Sequence, residues 1–154
     1  MATAERPGLL LRIARELRDL GAALEALDEA AAASLGVSRN DVRALGIAAR
    51  SSGLPAVAFA RRLGLTSASI TALIDRMEAK GLLERARDPD DRRCCRIHLT
   101  TEGRRREREL YGRLGEGLAR WLSRRPAAEC GAIAEFLTNA RTLAAEARNR
   151  AARR

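Results

Sequence analysis

The chain has 154 residues, enough for one domain or one domain with helical extensions, and part of its apolar surface is expected to be buried against a partner. A net charge of +9 at pH 7 points to a polyanionic partner, although Lys80 is the only lysine and an arginine bias also follows from a GC-rich genome. Aromatic residues make up 3% of the chain, which argues against a surface that stacks single-stranded bases.

Residues 9–33 are predicted as one long helix. Leu10, Ile13, Leu17, Leu20, Leu24 and Leu27 recur at alternating intervals of three and four, a heptad-like seam that faces either the body of its own chain or a second copy. Residues 34–37 break it. Ser38 can cap the next helix, with Asp41 at its third position, where a carboxylate suits the positive helix end. Val42, Leu45 and Ala49 give that helix its inward face, and Ser51-Ser52-Gly53 ends it. Pro55 fits the first turn of a short helix reaching Leu63, with Val57, Phe59, Ala60 and Leu63 inward. Gly64-Leu65 is the turn into a following helix, so the pair reads as a helix-turn-helix, and small Ala60 lets the two helices cross closely.

Thr66 stands where an N-cap should, and the helix after it runs to about Lys80 with Gly81 as its stop. Ile70, Leu73, Ile74 and Met77 form one buried stripe. The opposite face carries Ala68, Ala72 and Ala79, flanked by Thr71 and Asp75 on one side and Ser69 and Arg76 on the other. Such a small, polar face suits a helix whose backbone lies close to something else, and the major groove of B-DNA admits one helix. An ordinary solvent face of an amphipathic helix has the same pattern.

Residues 82–87 and 93–99 read as two strands around the polar turn Asp88-Pro89-Asp90-Asp91-Arg92. Cys95, Ile97 and Leu99 alternate with Cys94, Arg96 and His98, giving one buried and one wet face. Arg92 and Arg93 crowd the tip beside three carboxylates. A projecting guanidinium can enter a narrow minor groove, with a neighbouring Asp fixing its rotamer; a solvated charged turn has the same composition.

Thr100 or Thr101 caps a helix reaching about Leu122, with Leu110, Leu114, Leu118, Trp121 and Leu122 apolar. Arg104, Arg105, Arg106 and Arg108 crowd its first turns, where cations oppose the helix dipole, so either nearby phosphates or a merely solvated basic face must account for them. Pro126 opens a last helix with Ile133, Phe136, Leu137, Ala140, Leu143 and Ala147 along one seam, and Arg148, Arg150, Arg153 and Arg154 form a basic tail.

Four stretches in order, FARRLGLTSASIT from Phe59 to Thr71, IDRMEAKGL from Ile74 to Leu82, DPDDRR from Asp88 to Arg93 and LTTEG from Leu99 to Gly103, resemble the multiple antibiotic resistance regulator (MarR) family of winged helix-turn-helix proteins. The resemblance covers about residues 38–103 by motif, and the flanking helices match in layout. It implies that helix 67–80 is the recognition helix, with Ser67, Ser69, Thr71 and Arg76 as DNA contacts beside the capping Thr66. Arg93, next to Arg92, is then the wing arginine that enters the minor groove, with Asp75 and Asp91 as its orienting carboxylates. It also implies that the first and last helices build a homodimer, and that a small molecule, often aromatic or phenolic, acts as effector between those helices and the DNA-binding lobe.

An enzyme reading finds little support. His98 is the only histidine and has no serine or carboxylate spacing around it that suggests a triad; no phosphate-binding glycine loop is present, and one histidine offers little to a metal. No catalytic, cofactor or metal residues are therefore expected. Cys94, Cys95 and Cys130 have no metal-ligand spacing and their odd count is no disulfide framework. Cys94, near Arg93 and Arg96, is the candidate redox-sensing thiol, although thiol-sensing members of the family carry theirs near the first helix, where this chain has none. No run of 18 apolar residues spans a membrane, and Glu16, Asp19, Glu25 and Asp28 exclude a secretory signal core in residues 1–30, so a cytoplasmic location is expected.

The expected architecture is mainly α with a small β-wing. An N-terminal dimerisation helix (1–35) precedes a winged helix-turn-helix domain (36–100), and C-terminal dimerisation helices with a basic tail (101–154) follow. The expected function is a sequence-specific regulator, a repressor, binding a palindromic double-stranded DNA operator as a dimer. The alternatives are a basic architectural protein that coats DNA without reading it, and a thiol-based redox regulator.

Overall fold

The computed structural model describes residues 5–87 and 95–152. In chain order it runs α1 (Glu5–Leu35), α2 (Arg39–Ala49), β1 (Leu54–Pro55), α3 (Ala56–Leu63), α4 (Ser67–Ala79), β2 (Leu83–Arg87), β3 (Cys95–Leu99), α5 (Thr101–Leu122) and α6 (Ala127–Ala151). This is the expected mainly α chain with a small antiparallel sheet, a winged helix-turn-helix. It divides into two compact units, residues 1–110 and 111–154.

In the first unit the core lies between α2, α3, α4 and the sheet. Leu45, Phe59, Leu73, Ile74, Met77, Leu83 and Ile97 are at most 2% exposed. Burying a side chain of this size contributes about 1.5–3 kcal/mol. The α4 stripe of Ile70, Leu73, Ile74 and Met77 is buried throughout, as its spacing requires. Val57, expected to point inward, is 69% exposed. It precedes Phe59 by two residues, or 200° around the helix, so the turn that buries Phe59, Ala60 and Leu63 puts Val57 outside.

The sheet has the order β1-β3-β2. β2 and β3 pair antiparallel from Leu83 opposite Leu99 to Arg87 opposite Cys95, while β1 sets Leu54 opposite Ile97 and Pro55 opposite Arg96. Pro55 was expected inside the first turn of a helix. It is instead the extended residue before α3, at φ −56° and ψ 143°, on an edge strand where the N–H it lacks is not needed. Cys95, expected on the buried face, is exposed: it pairs with exposed Arg87 at the far end of β3, whereas Ile97 and Leu99 are buried. Arg96 and His98, expected to be wet, are half-buried. Gly53 explains this for His98: at φ +111° its backbone approaches so closely that a Cβ there would lie 2.3 Å from the imidazole Cε1.

Thr100, rather than Thr101, caps α5. Its Oγ1 accepts the Gly103 N–H at 2.9 Å and donates to the Gly81 carbonyl at 2.6 Å, tying the start of α5 to the turn after α4. Gly103 is buried in that junction.

In the second unit, residues 111–122 of α5 and the whole of α6 flank a short turn. The Arg125 guanidinium stacks 3.5 Å from the Trp121 ring centroid, and the Cys130 thiol donates to the Leu122 carbonyl at 3.6 Å. No residue of α6 is buried, and Leu114, Leu118, Trp121, Phe136, Leu137 and Leu143 are all exposed.

A Cβ at Gly103 would lie 2.1 Å from the Leu82 carbonyl oxygen and 2.9 Å from Leu99 Cδ2. Gly103→Ala should therefore destabilise the protein by about 1–3 kcal/mol in urea unfolding, although alanine is the better helix former by about 1 kcal/mol. A variant as stable as the parent would mean that α5 shifts freely on the sheet.

Candidate nucleic-acid interface

The turn between α3 and α4 is set by Gly64, which ends α3 in the left-handed conformation at φ +70°. Thr66 then caps α4: its Oγ1 accepts the Ser69 N–H at 3.2 Å and lies 2.9 Å from the Ser69 hydroxyl. The first turns of α4 bring Thr66, Ser67, Ser69 and Thr71 together on the surface with Ala68 and Ala72, all exposed. Thr71 donates its hydroxyl to the Ser67 carbonyl at 3.0 Å, leaving its oxygen lone pairs and methyl outward. On α3, Arg61 and Arg62 are exposed beside this turn.

The charged residues of α4 have a different character, because each is held by another element. Arg76 donates through Nη2 to Asp41 Oδ1 at 2.6 Å and through Nε to Asp41 Oδ2 at 3.1 Å, a forked pair between α4 and α2. The Asp41 side chain has no exposed surface, whereas that of Arg76 is 47% exposed. Asp41 also accepts the Ser38 N–H at 2.9 Å while the Ser38 hydroxyl accepts the Asp41 N–H, completing a capping box. Burial pushes the Asp41 carboxyl up, but the hydrogen bonds from Arg76 and Ser38 outweigh it and hold it below the ordinary carboxylate value.

Asp75, assigned by the resemblance to orient the wing arginine, carries Arg85 of β2 at 2.6 Å. Glu78 ion-pairs with the same guanidinium and accepts the Arg85 backbone N–H at 2.8 Å. Lys80 donates to the carbonyl of Leu35, the last residue of α1, at 3.5 Å. Arg92, Arg93 and Asp91, with the turn 88–92 and Cys94, lie outside the described residues. Sequence reasoning missed Asp41 and Arg85 as partners of α4. It saw Asp41 only as a carboxylate near a helix start, and no local pattern links residues 35 apart in the chain.

The basic start of α5 is largely a ladder of ion pairs. Arg105 bonds Glu102 at 2.5 Å and also pairs with Glu109, and Arg106 bonds Glu102 at 2.9 Å. Chiefly through the Arg105 hydrogen bonds, the Glu102 carboxyl is lowered to about 2. Two of the four arginines thus have carboxylate partners within their own helix. Among the described residues, no group of three His, Cys, Asp or Glu side chains could hold a metal ion.

A model of the MarR family matches residues 35–93, a segment that holds α2, the helix-turn-helix and the first wing strand. Over that segment the chain is similar to the MarR family. It is 32% identical over 99 residues to YcgE of Bacillus subtilis, an uncharacterized HTH-type transcriptional regulator, and the match covers 64% of each protein. The chain thus spans slightly under two thirds of that relative. Among solved structures, a mutant of MepR from a multidrug-resistant S. aureus clinical isolate is similar with a TM-score of 0.69 at 20% identity, covering 84% of this chain and 95% of that one. A crystal structure of an S. aureus MepR–DNA complex is similar with a TM-score of 0.55 at 18% identity, covering 81% and 98%. At these identities the structural likeness is one of fold.

Within this matched segment, removal of Arg76 strands a buried carboxylate, whereas removal of Asp41 leaves a guanidinium that half faces water. Arg76→Ala is therefore expected to cost about 2–3 kcal/mol at neutral pH, and Asp41→Asn less. The pH dependence has a defined sign. In the parent, the lowered Asp41 carboxyl contributes stability above its unfolded value near about 3.9 that is lost as pH falls through the folded value. In Arg76→Ala, burial raises the carboxyl instead, so the deficit should be largest at pH 7 and shrink towards pH 4. Urea unfolding at both pH values measures this; a deficit that does not change with pH would mean that the Asp41 carboxyl is not raised in the variant.

Proposed function

We propose that this chain is a sequence-specific, double-stranded DNA-binding transcriptional regulator that works as a homodimer in the cytoplasm. The observation that carries the reading is the face of α4: an uncharged surface of Ser67, Ala68, Thr71 and Ala72, at the start of a well-capped helix in a chain of net charge +9. Such a face lets the backbone approach base edges in a major groove. MepR, of the same fold, has been crystallised with DNA, which supports the same use here.

In this reading the DNA-facing residues are Thr66, Ser67, Ser69 and Thr71 of the helix-turn-helix, with Arg92 and Arg93 at the wing tip. Dimerisation is supported by the apolar side chains left exposed on α1, among them Leu10, Ile13, Leu17, Leu20 and Leu24, and by those of residues 111–154. On each surface these side chains follow one another along a helix rather than standing singly, which marks a contact surface. The operator is then an imperfect palindrome with half-sites about 10 base pairs apart or somewhat more. Repression follows if the operator overlaps a promoter. An aromatic or phenolic effector relieves it by preferring the spacing of recognition helices that does not fit DNA.

The net charge also favours a second reading, a protein that coats DNA without discrimination. Fluorescence anisotropy with the DNA upstream of the chain's own gene, against a scrambled duplex at two salt concentrations, separates the two. A specific regulator prefers its operator by about 10³-fold or more at physiological salt. Equal affinity for the two duplexes, falling together with salt, supports coating. On the operator, Arg93→Ala should weaken binding by about 1–3 kcal/mol with the dimer intact by size-exclusion chromatography; unchanged affinity removes the wing from the mechanism.

A further inference from the structure

All the charged side chains of α4, and the lysine that caps it, are engaged inside the protein: Asp75 and Glu78 by Arg85, Arg76 by Asp41, and Lys80 by the end of α1. Arg76 is the one that a reader of DNA would be expected to use, since a guanidinium can bind guanine O6 and N7 in the major groove. Here each of its three nitrogens has a protein acceptor. Nε and Nη2 bind the two oxygens of Asp41, and Nη1 lies 3.5 Å from the Ala72 carbonyl. Leaving Asp41 would strand a carboxylate that has no exposed surface, so Arg76 can turn to DNA only the outer Nη1–Nη2 edge of its guanidinium, and Nη1 on that edge is drawn towards the Ala72 carbonyl.

We propose that Arg76 is a positioning residue, not a base reader: clamped on Asp41, it fixes the angle of α4 against α2, and base discrimination falls to Ser67, Ala68, Thr71 and Ala72. This rests on the reading of the chain as a DNA-binding regulator. The clamp has a route onward, because Arg39, two residues before Asp41, bonds Glu29 of α1 at 3.2 Å. The recognition helix is thereby tied through side chains to α2 and onward to α1. The readers that remain are methyl groups and hydroxyls, which suit the thymine methyl and single donor or acceptor contacts rather than the guanine fork.

The test uses the full-length protein and a library of random duplexes, from which the parent, Asp41→Asn, Arg76→Gln and the double variant each select their preferred sequences. The double variant removes both charges and keeps two amides in the site, so it folds without a stranded carboxylate; circular dichroism at the assay temperature checks all four proteins. A folded variant's affinity then reports helix orientation rather than the folded fraction. The expected result is that each single variant loses about tenfold in affinity for the selected duplex. The double variant loses no more than either single variant, and the order of base preference at every position is unchanged. Asp41→Asn is decisive because a fully buried residue cannot touch DNA. Relaxed preference at one base pair in Arg76→Gln, with Asp41→Asn like the parent, would make Arg76 a base reader and overturn the proposal. A salt slope reduced by about 1 in Arg76→Gln alone would make it a phosphate contact, with the same consequence. A parent that enriches no sequence would overturn the DNA-reading function itself, and the proposal with it.

Discussion

Asp41 is a carboxylate without exposed surface, the one buried charged residue among the described residues, and the arrangement of the first unit depends on how that charge is satisfied. An unpaired buried carboxylate is costly enough to protonate or to unfold its surroundings. Asp41 avoids both outcomes by accepting from the Ser38 backbone at the start of its own helix and from the Arg76 fork on α4. One side chain therefore serves two levels of structure. It closes the first turn of α2, and it sets where α4 crosses that helix. A hydrophobic pair could supply the same packing energy, but a forked guanidinium–carboxylate pair accepts only a narrow range of distances and angles. Orientation is what the proposed role, a helix fitted to a groove, requires.

The same logic recurs along α4. Its apolar stripe fixes which face is buried, but a stripe of Ile70, Leu73, Ile74 and Met77 allows the helix to slide or rock within a greasy contact. The Arg85 pairs with Asp75 and Glu78 resist that motion from the side of the sheet, and the Lys80 bond to Leu35 resists it from the side of α1. Individually such half-exposed pairs contribute little stability. Placed on three sides of one helix, they define a pose. The cost is that these charges, though partly exposed, already have partners within the chain, and the uncharged part of the exposed face is made of hydroxyls and methyls.

What was legible in the sequence was whatever has a short period. The α4 stripe, the Thr66 and Ser38 caps and the stop at Gly81 all follow from neighbours within four residues, and the structure has them where the spacing put them. β1 was illegible because a two-residue strand has no period, and Pro55 reads equally well as the first residue of a helix. Val57 was misassigned because an alanine-rich helix of eight residues offers several apolar arcs, and only the partner surface selects among them. Cys95 was misplaced because alternation along a strand says which side a residue points to, not whether anything covers that side. The partners of Arg76 and Asp75 were illegible for a different reason. Ion pairs between elements carry no signature in local spacing, so a charged flank of α4 looks the same whether it meets phosphate or a buried carboxylate. The site residues at the wing tip rest on the motif alone.

The second unit raises the opposite question, since it has apolar residues and no interior. An α6 of 25 residues with none buried cannot draw its stability from propensity and side-chain ladders alone. The exposed residues there are not scattered. Arg113, Leu114, Gly117, Leu118 and Trp121 line one open cleft of about 450 Å³ on α5, with Gly117 as its notch. A cleft formed by a single helix face is half of something, because helices pack by placing the ridge of a neighbour in such a groove. The Arg125 guanidinium over Trp121 shields part of the indole while keeping a cation beside the apolar surface, which limits indiscriminate association. In the proposed dimer, the folding of residues 111–154 and the association of the chain are a single process. Stability measured for this unit should then be inseparable from protein concentration, in contrast to that of the first unit, whose core closes upon itself.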